Sequence, residues 1–202
     1  MTQNQQQWDN FVLLLIDIQN DFWTEEMAEY FPDFSKNVSR LLKLCRTEGV
    51  DIVHLRASFK PDQSDWIKRY TLKNSIPCIE GTVGAEILPC AAHMLGERVI
   101  YKQTFDGFLN QELVDYLEEN EKRFVLVAGL ESSVCILLTA ISATQHNYLS
   151  AVVSDCCADN PTAHQHVINN YPFAFDCVPF SKISAHYTQW QDMLTCLDDH
   201  EK

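Results

Sequence analysis

The stretch RFVLVAGLESSVCILLTAISA, residues 123–143, places a thiol where a strand hands over to a helix. Residues 124–128 form an unbroken apolar run rich in branched side chains, the pattern of a strand buried on both faces. Gly129 is expected to end that strand, and the hydroxyls of Ser132 and Ser133 are suited to capping a helix. Residues 136–143 are apolar and rich in small side chains, as a packed helix requires. Cys135 therefore falls in the first turn of a helix that follows a central strand. Unpaired N–H groups and the positive end of the helix dipole favour a thiolate there. The same N–H groups can receive the oxyanion formed when sulfur attacks a carbonyl. A second reading stands beside this one, in which Cys135 is simply a buried core thiol.

Working outward, residues 11–16 (FVLLLI) form another doubly buried strand, ending on Asp17. Residues 34–49 carry an apolar stripe at helical spacing, with Gly49 as the stop. A strand follows over 51–57, then a long, mostly irregular excursion over 58–95, of a length that often marks a cover or a subunit contact. Residues 98–101 read as a strand ending on Lys102, and 110–119 as a helix. Beyond the central unit come a strand over 149–154 ending at Asp155, a helix over 161–170 opened by Pro161, a strand over 174–178 and a closing helix over 184–197. Strand and helix alternate throughout. The expected fold is a single α/β domain over 1–202: a three-layer α/β/α sandwich on a six-stranded, Rossmann-like parallel sheet.

Composition narrows the function classes. The 202 residues are 46% hydrophobic and 21% charged, as in an ordinary globular protein, and large enough to bury a full core. A net charge of −13 argues against nucleic acid as a partner, since phosphate contacts need clustered Lys and Arg. No apolar run reaches the roughly 18 residues that span a bilayer, and no signal-peptide pattern opens the chain. The expected setting is cytoplasmic, without membrane association. The eight cysteines form no C-x-x-C and read as reduced thiols; the neighbours Cys156 and Cys157 are read as packing.

Asp17, Lys102 and Cys135 each stand at or just after the C-terminal end of an expected strand, and such a sheet gathers those ends along one rim. Cys135 must lose a proton to attack, Asp17 is placed to accept it, and the Lys102 ammonium favours both anions. A carboxamide attacked this way gives an oxyanion for the backbone N–H groups around Glu131 and Cys135, a leaving amine for the Asp17 proton, and a thioester for water. The alternative is a plain Asp17–Lys102 ion pair at the rim.

The segments carrying these residues resemble the signatures of the isochorismatase-like cysteine hydrolases. Asp17-Ile18-Gln19-Asn20-Asp21-Phe22 is similar to the first. Lys102 followed by Phe108 and Leu113 resembles K-x-x-x-S-x-F-x-G-T-x-L, and Gly129 to Cys135 resembles G-[VIL]-x-[TS]-x-x-C. Residues 77–87 resemble P-x-x-x-G-T-x-G-x-x-I, and residues 154–158 the D-A-x-A turn. The resemblance implies an Asp17-Lys102-Cys135 catalytic triad and a cis peptide between Leu130 and Glu131. It also implies a substrate and oxyanion region at Phe22, Phe108, Leu130 and Glu131. The pattern departs at Phe105-Asp106, where Ser-Ala is common, and at Asn110-Gln111 in place of Gly-Thr, which bears on the pocket near Phe108. Nicotinamidases of this family hold a metal through Asp-x-His and a further His; here the corresponding place reads Ser58-Phe59-Lys60-Pro61. No metal and no cofactor are expected, with Asp51 and His54 read as structural.

The leading expectation is thus a metal-independent cysteine amidohydrolase acting on a small carboxamide, carbamoyl or ureido compound. An isochorismate-like vinyl-ether hydrolase and a non-catalytic binding or assembly module are the alternatives. The expected partners are a small-molecule substrate and further copies of the chain, as a dimer or tetramer. Glu131 can face either the pocket or solvent, and Trp23 and Trp66 either the pocket or a subunit contact.

Overall fold

The computed structural model describes residues 7–200. Its six strands are β1 (Phe11–Ile16), β2 (Asp51–Ala57), β3 (Arg98–Lys102), β4 (Phe124–Leu130), β5 (Leu149–Ala158) and β6 (Asp176–Val178). They pair in the order β3-β2-β1-β4-β5-β6, every neighbour parallel. All residues of β1 and β4 are buried, so both faces of the sheet centre are covered. The helices are α1 (Glu25–Tyr30), α2 (Phe34–Glu48), α3 (Lys68–Lys73), α4 (Gln111–Glu119), α5 (Leu137–Gln145), α6 (Pro161–Asn170) and α7 (Ile183–His200). Trp190 of α7 packs on Phe124 with ring centroids 4.7 Å apart, and Phe11 stacks on Phe124 at 4.9 Å, which joins the closing helix to both central strands. Parallel pairing forces each connection to cross over a face, which is why strand and helix alternate along the chain.

Four details differ from the sequence reading. Gly129 does not end β4 but lies inside it, at φ +131°, and a Cβ there would sit 2.0 Å from the Ile16 carbonyl oxygen. It is a close-approach glycine between two strands rather than a breaker. β5 runs past Asp155 to Ala158, because after a register shift Gly129 and Leu130 still pair with Cys157 and Ala158. β6 is shorter than expected and begins at Asp176. The helices α1 and α3, six residues each, were not expected. Segments that short carry too few repeats to show a helical period; α1 is held by a Thr24 cap that accepts from the Met27 N–H at 3.1 Å.

Candidate active site

The order of strands reverses at β1, whose neighbours β2 and β4 lead to opposite edges, and ligand crevices form at such points. Asp17 follows β1 directly in a left-handed conformation, φ +51°, that aims its carboxyl back across the sheet ends. Its Oδ1 accepts the Ala57 N–H at 2.8 Å and its Oδ2 accepts from Lys102 Nζ at 2.7 Å. Lys102 is the last residue of β3, in register with Ala57, so its long side chain reaches across β2. The ammonium also donates to the Thr104 carbonyl at 2.9 Å and to Cys135 Sγ at 3.6 Å, so each of its three protons has an acceptor. Both charged side chains are almost fully buried, at 2% and 0% exposure. A pair this dry is stable only while both partners stay and keep their hydrogen bonds. Burial opposes the Lys102 charge, but the Asp17 carboxylate and the Cys135 sulfur together outweigh it and raise the lysine above its ordinary range.

Cys135 sits within a π-helical turn, Ser132–Ile136, that precedes α5. The Ile136 N–H reaches back to the Glu131 carbonyl at 3.2 Å, the wide spacing of such a turn. The Leu130–Glu131 peptide bond is cis. Contrary to the expected thiolate, the Cys135 thiol is pushed well above its ordinary range. Burial is the main cause and the adjacent Asp17 carboxylate adds to it, with Lys102 pulling only partly the other way. The resting pair is therefore a thiol beside a carboxylate. The turn is pinned from below: Asp159 Oδ2 accepts from the Ser133 N–H at 2.7 Å and from the Ser133 hydroxyl at 2.6 Å. Ser132 Oγ lies 2.8 Å from His164 Nδ1. Thus Ser132 and Ser133 serve tertiary contacts, and Asp159, which no motif singles out, carries the turn.

A cavity of about 170 Å³ opens above the three residues, walled by Phe22, Phe59, Tyr70, Phe105, Val134 and Glu131. Phe22 and Glu131 stand where the sequence reading put them. Phe108 and Leu130 do not line it. Asp106 accepts the Phe108 N–H at 2.9 Å, and that ring is buried away from the cavity, under the exposed His146, on which it stacks at 4.9 Å. The departing residue Phe105 fills the wall instead. Leu130 is fully buried in β4. Trp23 stacks on Phe34 at 4.7 Å, and Trp66 donates to the Lys60 carbonyl at 2.8 Å within a small cluster around Phe59 and Cys78.

The 77–88 part of the long excursion is strapped to the loop that carries Asp17. Gln19 Nε2 donates to the Ala57 and Ala85 carbonyls, each at 2.9 Å. Asn20 Nδ2 donates to the Val83 carbonyl at 2.8 Å, and Asp21 Oδ2 accepts the Cys78 N–H at 2.7 Å. A Cβ on Gly84 would lie 2.1 Å from the Asp21 carboxylate, so this glycine leaves the space that the carboxylate occupies. The first and fourth signatures thus describe two sides of one clasp. Neither polar run has a period, so nothing in the residues themselves signalled that the two segments bind each other.

Residues 11–175 match the model of the isochorismatase domain. The chain belongs to the isochorismatase family. It is 30% identical over 148 residues to an uncharacterized isochorismatase family protein, YddQ, of Bacillus subtilis, spanning 72% of this chain and 76% of that one. It is 29% identical over 154 residues to the maleamate amidohydrolase of Pseudomonas putida, spanning 73% and 71%. Among solved structures, an isochorismatase family protein from Desulfovibrio vulgaris superposes with a TM-score of 0.79 at 29% identity, covering 87% of this chain and 97% of that one. The protein is a hydrolase of this family, and the likeness extends over the whole region that builds the site.

Within the isochorismatase frame, several titratable residues outside the cavity pair with one another. His54 Nε2 lies 2.8 Å from Glu97, which also accepts two hydrogen bonds from Arg46 at 2.6 and 3.0 Å. Burial lowers His54 to about 4. Burial alone would raise Glu97, yet the bonds from Arg46, the Met94 N–H and His54 bring it down to about 2. Asp51 pairs with Lys122 at 2.7 Å. Ser58, Phe59 and Lys60 supply no cluster of metal-binding side chains, and among the described residues no group of three His, Cys, Asp or Glu converges on one point. No helix among the described residues is long and apolar enough to cross a membrane.

Proposed function

We propose that this hydrolase is a metal-independent cysteine amidohydrolase that cleaves the C–N bond of a small carboxamide, carbamoyl or ureido compound, with Asp17, Lys102 and Cys135 as its triad. The observation that carries this reading is the Lys102 ammonium bonded to both the Asp17 carboxylate and the Cys135 sulfur beneath a closed-in cavity. The likeness to an amidohydrolase at 29% identity supports the class of bond. Substrate enters with Cys135 as the thiol. As sulfur bonds to the carbonyl carbon, its proton passes to Asp17, and the new oxyanion is received by backbone N–H groups of the turn at Glu131 and Cys135. Collapse of the tetrahedral species breaks the C–N bond, and Asp17 returns the proton to the departing nitrogen. Water, deprotonated by Asp17, then attacks the thioester; the products are the acid, the amine or ammonia, and the restored thiol. Lys102 stays an ammonium throughout and holds the Asp17 carboxyl and the Cys135 sulfur in place.

The test is ammonia release from a panel of small primary amides, with intact-protein mass spectrometry after acid quench. Loss of turnover by about 10³-fold or more in Cys135→Ala, together with a covalent acyl adduct in the wild type, is the expected result. Undiminished turnover in Cys135→Ala sinks the cysteine mechanism. A homo-oligomeric, cytoplasmic enzyme completes the reading, with the 58–95 excursion as the contact surface.

A further inference from the structure

The cavity contains an acidic group that the chemistry above does not use. Glu131, one residue beyond β4, lines the wall together with the aromatic side chains of Phe59, Tyr70 and Phe105. No side chain among the described residues is bonded to its carboxylate, and the charges that act on it, Asp159 and Asp17, are both negative. Among the described residues Lys102 is the single cation in the cavity wall, and its three protons are already taken by Asp17, Thr104 and Cys135. A substrate bearing a carboxylate would meet two acidic side chains and no free positive partner. A substrate bearing an ammonium or an N–H would meet an acceptor with nothing else to bind.

We propose that Glu131 is a specificity-determining residue that selects amides carrying a cationic or hydrogen-bond-donating tail and excludes those carrying a carboxylate. This rests on the amidohydrolase reading for the identity of the scissile bond, but the charge preference belongs to the cavity itself. The group acts on ground state and transition state alike, since it touches the tail rather than the reacting carbon. Its effect therefore falls on KM more than on kcat. Burial and the neighbouring Asp159 raise the Glu131 carboxyl above its ordinary range, in line with an acidic group left without a cationic partner.

Three amides with the same two-methylene spacer separate the possibilities: 3-aminopropanamide, butanamide and succinamate, whose far ends are cationic, neutral and anionic. Two readouts are taken, kcat/KM by ammonia release and protection of Cys135 from iodoacetamide. The expected order is 3-aminopropanamide, then butanamide, then succinamate, with at least about tenfold between the first and last in each readout. Glu131→Gln should shrink that ratio about tenfold, chiefly through KM, and Glu131→Arg should reverse it. A flat or reversed order in the wild type overturns the proposal, as does protection by none of the three. The two ideas fail separately. Charge-ordered protection with no turnover would remove the amidohydrolase reading and leave the charge preference standing. Turnover lost in Cys135→Ala with no charge order would do the opposite.

Discussion

A thiol held protonated beside a carboxylate attacks only when the proton can move as the new bond forms, so the two groups should be judged by separate readouts. In the free enzyme, iodoacetamide should label Cys135 slowly up to about pH 9, because burial and Asp17 hold the proton on sulfur. Asp17→Asn removes the carboxylate that raises the thiol, so alkylation at pH 8 should become faster while amide turnover falls by about 10³-fold. Lys102→Met should slow both, since the ammonium is the group that lowers the thiol. If alkylation and turnover fall together in Asp17→Asn, the carboxylate is a structural anchor and not the proton acceptor. The meeting of these three side chains was legible because Asp17 and Lys102 close strands and Cys135 follows one by a short turn, and a parallel sheet sends all such ends to one rim. The protonation state of Cys135 was not legible. Helix position argues for a thiolate, but the depth of burial that reverses it depends on how far the aromatic walls close over the site. Phe108 was misplaced for a similar reason: its ring is buried away from the cavity, under His146.

At the scale of elements, two backbone junctions position the site. Gly129→Ala drives a Cβ into the Ile16 carbonyl, a clash between backbones that no rotamer relieves. It should cost upward of about 4 kcal/mol and be read as a collapsed soluble yield or a large fall in urea midpoint. Asp159→Ala frees both hydrogen bonds that pin Ser133. It should lower kcat by about 10²-fold with a smaller change in KM, and an unchanged kcat would show that the π-helical turn holds its shape without Asp159. Strands and long helices were legible within a residue or two, except the C-terminal ends of β5 and α7, since apolar runs and stripes report burial directly. The π-helical turn, the clasp and the short helices α1 and α3 were not, because hydrogen bonds between distant polar residues leave no period in the chain.

The whole molecule has its own acid limit, set away from the site at His54 on β2. Its folded-state value lies near 4, below the unfolded value, so between about pH 6.5 and 4 the unfolded chain binds a proton that the folded chain refuses. Stability should be intact above pH 6.5 and decline as pH falls toward 4. Glu97, held down to about 2, adds a second loss as pH falls from the ordinary carboxylate range toward 2. Thermal melts from pH 7.5 to 4 should show the decline, and His54→Gln, which keeps a donor toward Glu97 but has no proton to gain, should flatten its upper part. A melt curve equally steep in that variant would place the acid sensitivity elsewhere. The alternating order of elements was legible as a whole because every strand reads as apolar on both faces, and only a covered parallel sheet accommodates that.

The clasp between residues 19–21 and 77–88 sets how the molecule opens. Amide protons of Asn20, Cys78 and Leu88 are each bound across it, to the Glu86 carbonyl, the Asp21 carboxylate and the Ile18 carbonyl. Deuterium should therefore reach all three at one common rate, slower than the surrounding coil, because none can be released without parting the clasp. Pro77 would then be a fixed wall of the cavity, and small amides would bind at a rate set by diffusion past Phe105 and Glu131 rather than by the parting of a cover.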